Sequence, residues 1–196
     1  MIIDNNGAVL IERSGLRGGA GALAKDMALV VLGIGALVLS ANIRIPMWPV
    51  PVTMQTFAVL LIGAAYGARL SLMTMLGYLA LGACGVAVFA GDQAGLAYMA
   101  GPTGGYLVGF AVAAALMGAL ARRGWDRTVG GMAGAMLLGN AVIYTLGLGW
   151  MAVLFAGSKG FGWVVQMGMV NFLPGDLLKL ALAAMLMPLL WRATNR

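Results

Sequence analysis

The 196-residue chain contains no histidine, one cysteine and only six acidic residues. Without histidine there is no imidazole metal ligand, general base or proton relay, and no His-dependent intramembrane serine protease or metalloprotease can be built. The lone Cys84 rules out a disulfide within the chain, and its place in an apolar stretch predicts a buried packing residue. Charged residues make up 9% of the chain, against about 25% in a soluble domain. So few charges cannot cover a water-facing surface, and lipid must be the solvent for much of it. Asp26, Asp92 and Asp126 fall at span ends or in loops, which leaves Asp176 without a second intramembrane carboxylate for an aspartyl dyad. No Gly-x4-Gly-Lys-Ser/Thr run occurs, so a nucleotide that drives this system binds another chain.

What the chain does have is apolar length. Hydrophobic residues reach 62%, and the 31 glycines are spread along the apolar stretches, where small residues let membrane helices approach closely. Six spans can be drawn, at about 25–42, 53–67, 69–90, 105–121, 128–156 and 161–191, given that about 20 residues cross the hydrocarbon layer. The second is short and the last two are long, which predicts tilts, breaks or re-entrant turns. The expected fold is an all-α integral membrane protein of six transmembrane helices over 25–196. A polar N-terminal tail, 1–24, precedes it, with no cleavage site that would mark a signal peptide.

The net charge of +6 invites a nucleic-acid reading, but its distribution speaks for topology. With the N-terminus inside, the cytoplasmic set is Arg13, Arg17, Lys25, Arg69, Arg122, Arg123, Arg127, Arg192 and Arg196, and the external set is Arg44 and Lys159. That bias predicts both termini in the cytoplasm and needs no nucleic acid. Of the external connections, 43–52 holds Pro46, Pro49 and Pro51, which predict a stiff extended path. The segment 91–104 mixes polar, apolar and glycine residues and suits a lid that dips back into the protein.

The one basic residue outside these two sets, Lys179, lies within the sixth span, three positions after Asp176 and on the same helix face. Pro174 and Gly175 predict a helix break, with Asp176 in the first turn of the helix that restarts, where the dipole favours a carboxylate. Each such charge costs on the order of 3 kcal/mol in mid-membrane, so the pair is expected to face a polar cavity. The amine would meet a carboxylate there, and the acid N–H donors. A structural ion pair is the competing reading. Gln55 with Thr53 opens the second span, and Asn140 and Tyr144 share a face of the fifth; each is a candidate contact or a helix-to-helix hydrogen bond. Tyr106, Trp125, Trp150, Trp163 and Trp191 lie near span ends, where an interfacial aromatic belt is expected. Small residues at Ala20, Ala24 and Ala28, and at Ala111, Ala115 and Ala119, allow close helix packing, internally or against a partner.

Three segments, Pro49-Val50-Pro51-Val52-Thr53-Met54-Gln55-Thr56, Gly101-Pro102-Thr103-Gly104-Gly105-Tyr106 and Pro174-Gly175-Asp176-Leu177-Leu178-Lys179, together resemble the BioY family. These are the biotin-specific substrate-binding (S) components of energy-coupling factor transporters. The resemblance implies capture of biotin from outside the bacterial cytoplasmic membrane. It also implies docking to an EcfT-like membrane coupling subunit with paired ATPases, which alone bind ATP. It carries ligand contact onto Asp176, Lys179, Gln55, Gln93 and Tyr106, and coupling-subunit contact onto Ala24 and Ala28. The chain departs from the family at Gly91-Asp92-Gln93-Ala94-Gly95, where many relatives have Gly-Gly-x-Gly-Gly, and at Asn171, where many have proline. No enzyme, metal or resident cofactor is expected. A self-sufficient, ion-coupled secondary transporter of a small carboxylate remains the alternative.

Overall fold

The structure, a computed structural model, describes residues 7–13 and 19–194. Its helices are α1 (Gly19–Asn42), α2 (Gln55–Ala83), the short α3 (Gly95–Met99), α4 (Gly104–Arg122), α5 (Val129–Lys159), α6 (Phe161–Gly168) and α7 (Leu173–Thr194). Five segments among the described residues, Gly21–Asn42, Gln55–Ala83, Gly104–Arg122, Val129–Lys159 and Phe161–Thr194, are long and apolar enough to cross a membrane. The chain is thus a multi-pass, all-α membrane protein.

Helix α2 is not one rod. Gln55 Nε2 donates to Tyr78 Oη at 2.6 Å, yet 23 residues of straight helix would part their backbones by about 34 Å. The chain reverses at Gly67, whose φ of 78° and ψ of 168° lie outside the helical region. Two antiparallel arms result, 55–66 and 68–83, and they correspond to the second and third spans drawn from sequence. Helix α4 lies against the turn at backbone contact distance. A Cβ on Gly118 would stand 2.1 Å from the Ala68 nitrogen, and one on Gly63 would stand 2.7 Å from the Ala114 carbonyl oxygen. Glycine is required at these crossings because nothing larger fits.

Helix α4 is the centre of the bundle, flanked by α2 and α5, and α7 packs against both α5 and α2. Helix α1 stands at the edge against α2. It turns Gly33, Leu37, Ser40 and Ala41 inward, while Leu23, Met27, Val31, Leu32 and Leu39 project outward. Ala24 and Ala28 are on its exposed side; the Ala20 side chain lies outside the described residues.

One end of the bundle, the loop end, carries the connections after α1 and after α2. The first is more ordered than a stiff extended path: β1 (Arg44–Ile45) and β2 (Val52–Thr53) form an antiparallel ladder pairing Arg44 with Thr53. The second dips back as expected, through a Phe89–Gln93 bridge and α3. Cys84 sits there exposed, not buried as its apolar neighbours suggest, because α2 has just ended.

The opposite end carries the Gly67 turn, the α4–α5 connection and the end of α7. Residues 7–13 pack against it: Val9 is fully buried, Glu12 pairs with Arg122 at 2.6 Å, and Lys25 donates to the Ile11 carbonyl at 3.0 Å. Trp191 is no belt residue. It is 4% exposed and donates through Nε1 to Asp126 Oδ2 at 2.6 Å, with the Arg127 guanidinium 4.9 Å from its ring centre. Burial pushes the Asp126 carboxyl above its ordinary range, and the Trp191 N–H and the Arg127 charge only partly oppose this.

The sixth span breaks earlier than Pro174-Gly175. Helix α6 ends at Gly168, Met169 leaves the helical region (φ −138°, ψ −58°), and Val170–Phe172 make a 3-10 turn. Pro174 then falls in the first turn of α7, where a missing N–H costs no hydrogen bond. Asp176 is in that first turn, as the sequence predicts.

Candidate functional site

A chamber opens at the loop end between the first arm of α2, α4, α5 and the start of α7. Its polar wall is the pair from α7: Asp176 is 6% exposed and Lys179 5%, and Nζ lies 2.9 Å from Oδ1. One turn of helix puts both on one face, and that face looks into the bundle. Thr56 completes the wall from α2. Its hydroxyl accepts from Lys179 Nζ at 2.9 Å and donates to Asp176 Oδ1 at 3.4 Å. Tyr144 of α5 donates to Asp176 Oδ2. Both carboxylate oxygens are thus engaged, while the ammonium, with three protons, uses two on these partners.

Gln55 lies one residue before Thr56 and is 4% exposed. Its amide is held by Tyr78, which in turn donates to the Val88 carbonyl at 3.0 Å. That chain fixes the roof. Tyr78 meets Phe89 edge-on at 5.5 Å, and Phe89 stacks on Tyr98 of α3 at 5.2 Å and 16°. Tyr98 lies outside the spanning segments; burial pushes its phenol up, offset in part by the Thr103 hydroxyl and the Arg44 charge. Tyr106 is a wall residue, not a belt residue. It is 7% exposed and donates to the Gly168 carbonyl at 2.7 Å, and its ring rests where a Cβ on Gly147 would come within 2.4 Å.

The cavity these residues enclose measures about 50 Å³. It is lined by Gln55, Thr56, Tyr98, Tyr106, Tyr144, Asp176 and Lys179, with Phe89, Phe110 and Phe172 among the apolar walls. Two hollows adjoin it. A vestibule of about 530 Å³ lies at the loop end, between the 44–51 and 90–103 segments. A groove of about 420 Å³ runs between α5 and α7, on the far side of Tyr144 and Asp176.

Five of the sequence-predicted residues therefore meet in the chamber: Asp176, Lys179, Gln55, Tyr106 and Tyr144. Two do not. Gln93 lines the vestibule, exposed, with its amide donating to the Gly91 carbonyl at 3.3 Å. Asn140 is 9% exposed and lines the α5–α7 groove, and its Oδ1 has no hydrogen-bond partner among the described residues. One turn along α5 carries it past the Tyr144 wall. Ala24 and Ala28 are far from the chamber on the outer side of α1. Thr56, Tyr78, Phe89 and Tyr98 were not singled out from sequence. Thr56 ends the first quoted motif, and its adjacency to Gln55 at a helix start was the available signal; nothing local marks Phe89 or Tyr98.

Chemically, the wall offers a carboxylate that accepts N–H groups beside an ammonium that donates to a carbonyl, with no net charge between them. The aromatic walls suit a flat, largely apolar ring system. Among the described residues no three His, Cys, Asp or Glu side chains gather as a metal site would require.

The BioY family model matches residues 12–196. A probable biotin transporter BioY from Pyrococcus horikoshii is 36% identical over 163 residues, covering 83% of this chain and 94% of its own length. The biotin transporter BioY of Rhizobium etli is 35% identical over 173 residues, covering 83% and 90%. A crystal structure at 2.1 Å of the S-component for biotin from an ECF-type ABC transporter shares the fold. It has a TM-score of 0.74 at 20% identity, over 90% of this chain and 95% of that one. These relatives are transporters, not enzymes. With nearly its whole length matched, the chain belongs to the BioY family.

Proposed function

We propose that this chain captures biotin and admits it through the cytoplasmic membrane of a bacterium as the S component of an energy-coupling factor importer. The observation that carries the reading is the buried Asp176–Lys179 pair lining a chamber walled by aromatic rings. Charges at that depth persist where they do work. A neutral cyclic urea matches them, since its N–H groups suit Asp176 and its carbonyl suits Lys179, while the ring system packs against Phe and Tyr.

The loop end faces outward in this reading. Among the described residues Arg13, Lys25, Arg69, Arg122, Arg123, Arg127 and Arg192 gather at the opposite end, against Arg44 and Lys159 at the loop end. That imbalance favours the opposite end, and with it both termini, on the inside. The chain then makes six crossings, with the α2 arms counted separately. Ligand pockets commonly measure about 300–1,000 Å³, so the 50 Å³ chamber must widen to admit biotin. In this reading the wall that gives way is Tyr98, carried on the short α3 and not on a spanning helix.

Energy comes from partners: a membrane coupling subunit against the exposed small residues of α1, Ala24 and Ala28, and paired ATPases that alone bind ATP. Biotin uptake by cells producing this chain with and without such subunits tests the reading. Uptake that needs them and ATP, and survives collapse of the proton gradient, is expected. Uptake lost with the gradient but retained without ATP would replace the importer with an ion-coupled carrier.

A further inference from the structure

Two cationic side chains line the hollows at the loop end, Lys179 in the chamber and Arg44 in the vestibule. They are not equivalent. Lys179 is neutralised by Asp176 at 2.9 Å. Arg44 has no described carboxylate within ion-pair reach and makes no side-chain hydrogen bond among the described residues. It is the uncompensated charge of the site.

Its placement follows from the β ladder. Arg44 is directly opposite Thr53, so the two side chains leave the same face, with Cβ atoms about 5 Å apart. Thr53 lines the chamber and Arg44 the vestibule. On its other side the guanidinium rests against Gly91, where a Cβ would come within 2.3 Å of Nη1 and where φ is +80°. Glycine there provides both the turn and the space. The chamber and the vestibule share Pro51, Ala90, Tyr98 and Thr103 in their linings. The two hollows abut at these residues.

Charge balance then orients a ligand. A carboxylate driven against the Asp176–Lys179 pair would compete with Asp176 for one ammonium and leave a net negative charge in a desolvated space, which is costly. Neutral N–H and C=O groups meet the same pair without that cost. The vestibule is larger and more open than the chamber, and a guanidinium there can grip a carboxylate with two parallel hydrogen bonds. We infer that Arg44 is the carboxylate-binding residue of this site: the ligand's polar ring lies at Asp176 and Lys179, and its acidic tail passes the Tyr98–Thr103 layer to the guanidinium. The inference rests on the biotin reading above and adds the ligand's orientation to it.

The test compares biotin with its uncharged tail amide in calorimetric titrations of wild type, Arg44→Gln, Arg44→Lys and Lys179→Gln. Wild type is expected to prefer the acid by about tenfold or more (about 1.4 kcal/mol). Arg44→Gln should bind acid and amide alike, with amide affinity near that of wild type. Arg44→Lys should recover part of the preference, and Lys179→Gln should weaken both ligands together. An unchanged acid-to-amide ratio in Arg44→Gln, or its loss in Lys179→Gln, overturns the assignment and seats the carboxylate at Lys179. Failure of folded wild type to bind either ligand is a different outcome: it removes the biotin reading itself, and the assignment with it.

Discussion

The Tyr144 phenol donates to Asp176 Oδ2, joining α5 to the first turn of α7. This contact is the wall between the chamber and the groove outside it. Tyr144 and Asp176 line both hollows, whereas Asn140, one turn along α5, lines only the groove. A residue pair that looks like one site on a helical wheel is thereby split.

Asn140→Ala should leave biotin affinity within about twofold of wild type, well under 1.4 kcal/mol. Tyr144→Phe keeps the ring but leaves Asp176 Oδ2 without its partner. Loss of a hydrogen bond to a buried charge costs about 1–3 kcal/mol, so its melting temperature in detergent should fall. A large affinity loss in Asn140→Ala would show that the groove belongs to the ligand site.

The Gly118–Ala68 crossing makes a prediction about stability. A methyl on Gly118 meets backbone at 2.1 Å, and backbone cannot swing aside as a side chain can. Overpacking of that kind costs about 1–3 kcal/mol or more, so Gly118→Ala should melt well below wild type. Gly35, where an added Cβ would meet nothing within 4 Å, is the control. Gly35→Ala should be neutral or stabilising, by up to about 1 kcal/mol from helix propensity. Equal melting temperatures for the two variants would contradict the close crossing of α2 and α4.

Sequence made the chemistry of the chamber legible, but not all of its walls. Asp176 and Lys179 stand out because charge is rare in lipid and three-residue spacing fixes a shared face. Gln55 and Tyr106 were visible through the motifs around them. Phe89 and Tyr98 were not, since their roles depend on a loop folding back over the bundle, which no local period encodes. The break in the sixth span was misplaced because Pro174 looks like a breaker, yet proline is tolerated in a first turn; the interruption lies at Met169. Trp191 departs from the interfacial belt for a related reason. Its partner Asp126 is 65 positions away, and end-of-span tryptophans usually face the interface.

Asp126 adds a pH dependence. Its Oδ2 is held by Trp191, while its Oδ1 is buried without a partner among the described residues. Burial raises its carboxyl above the ordinary 3.8, so between the unfolded and folded values the folded chain holds a proton that the unfolded chain has released. The stabilisation is complete below the unfolded value and is lost as pH rises through the folded one. Asp126→Asn mimics the protonated form. Relative to wild type it should melt higher at about pH 7, and the gap should close toward about pH 4. A gap constant with pH would mean that the carboxyl is not shifted.

Titration of biotin into detergent-purified protein probes the chamber most directly. Saturable binding is expected in wild type, and Asp176→Asn and Lys179→Ala should each weaken it by at least about tenfold (about 1.4 kcal/mol). Gel filtration and circular dichroism should show both variants folded. Wild-type affinity in both variants, or no binding by folded wild type, would contradict a ligand role for the buried pair.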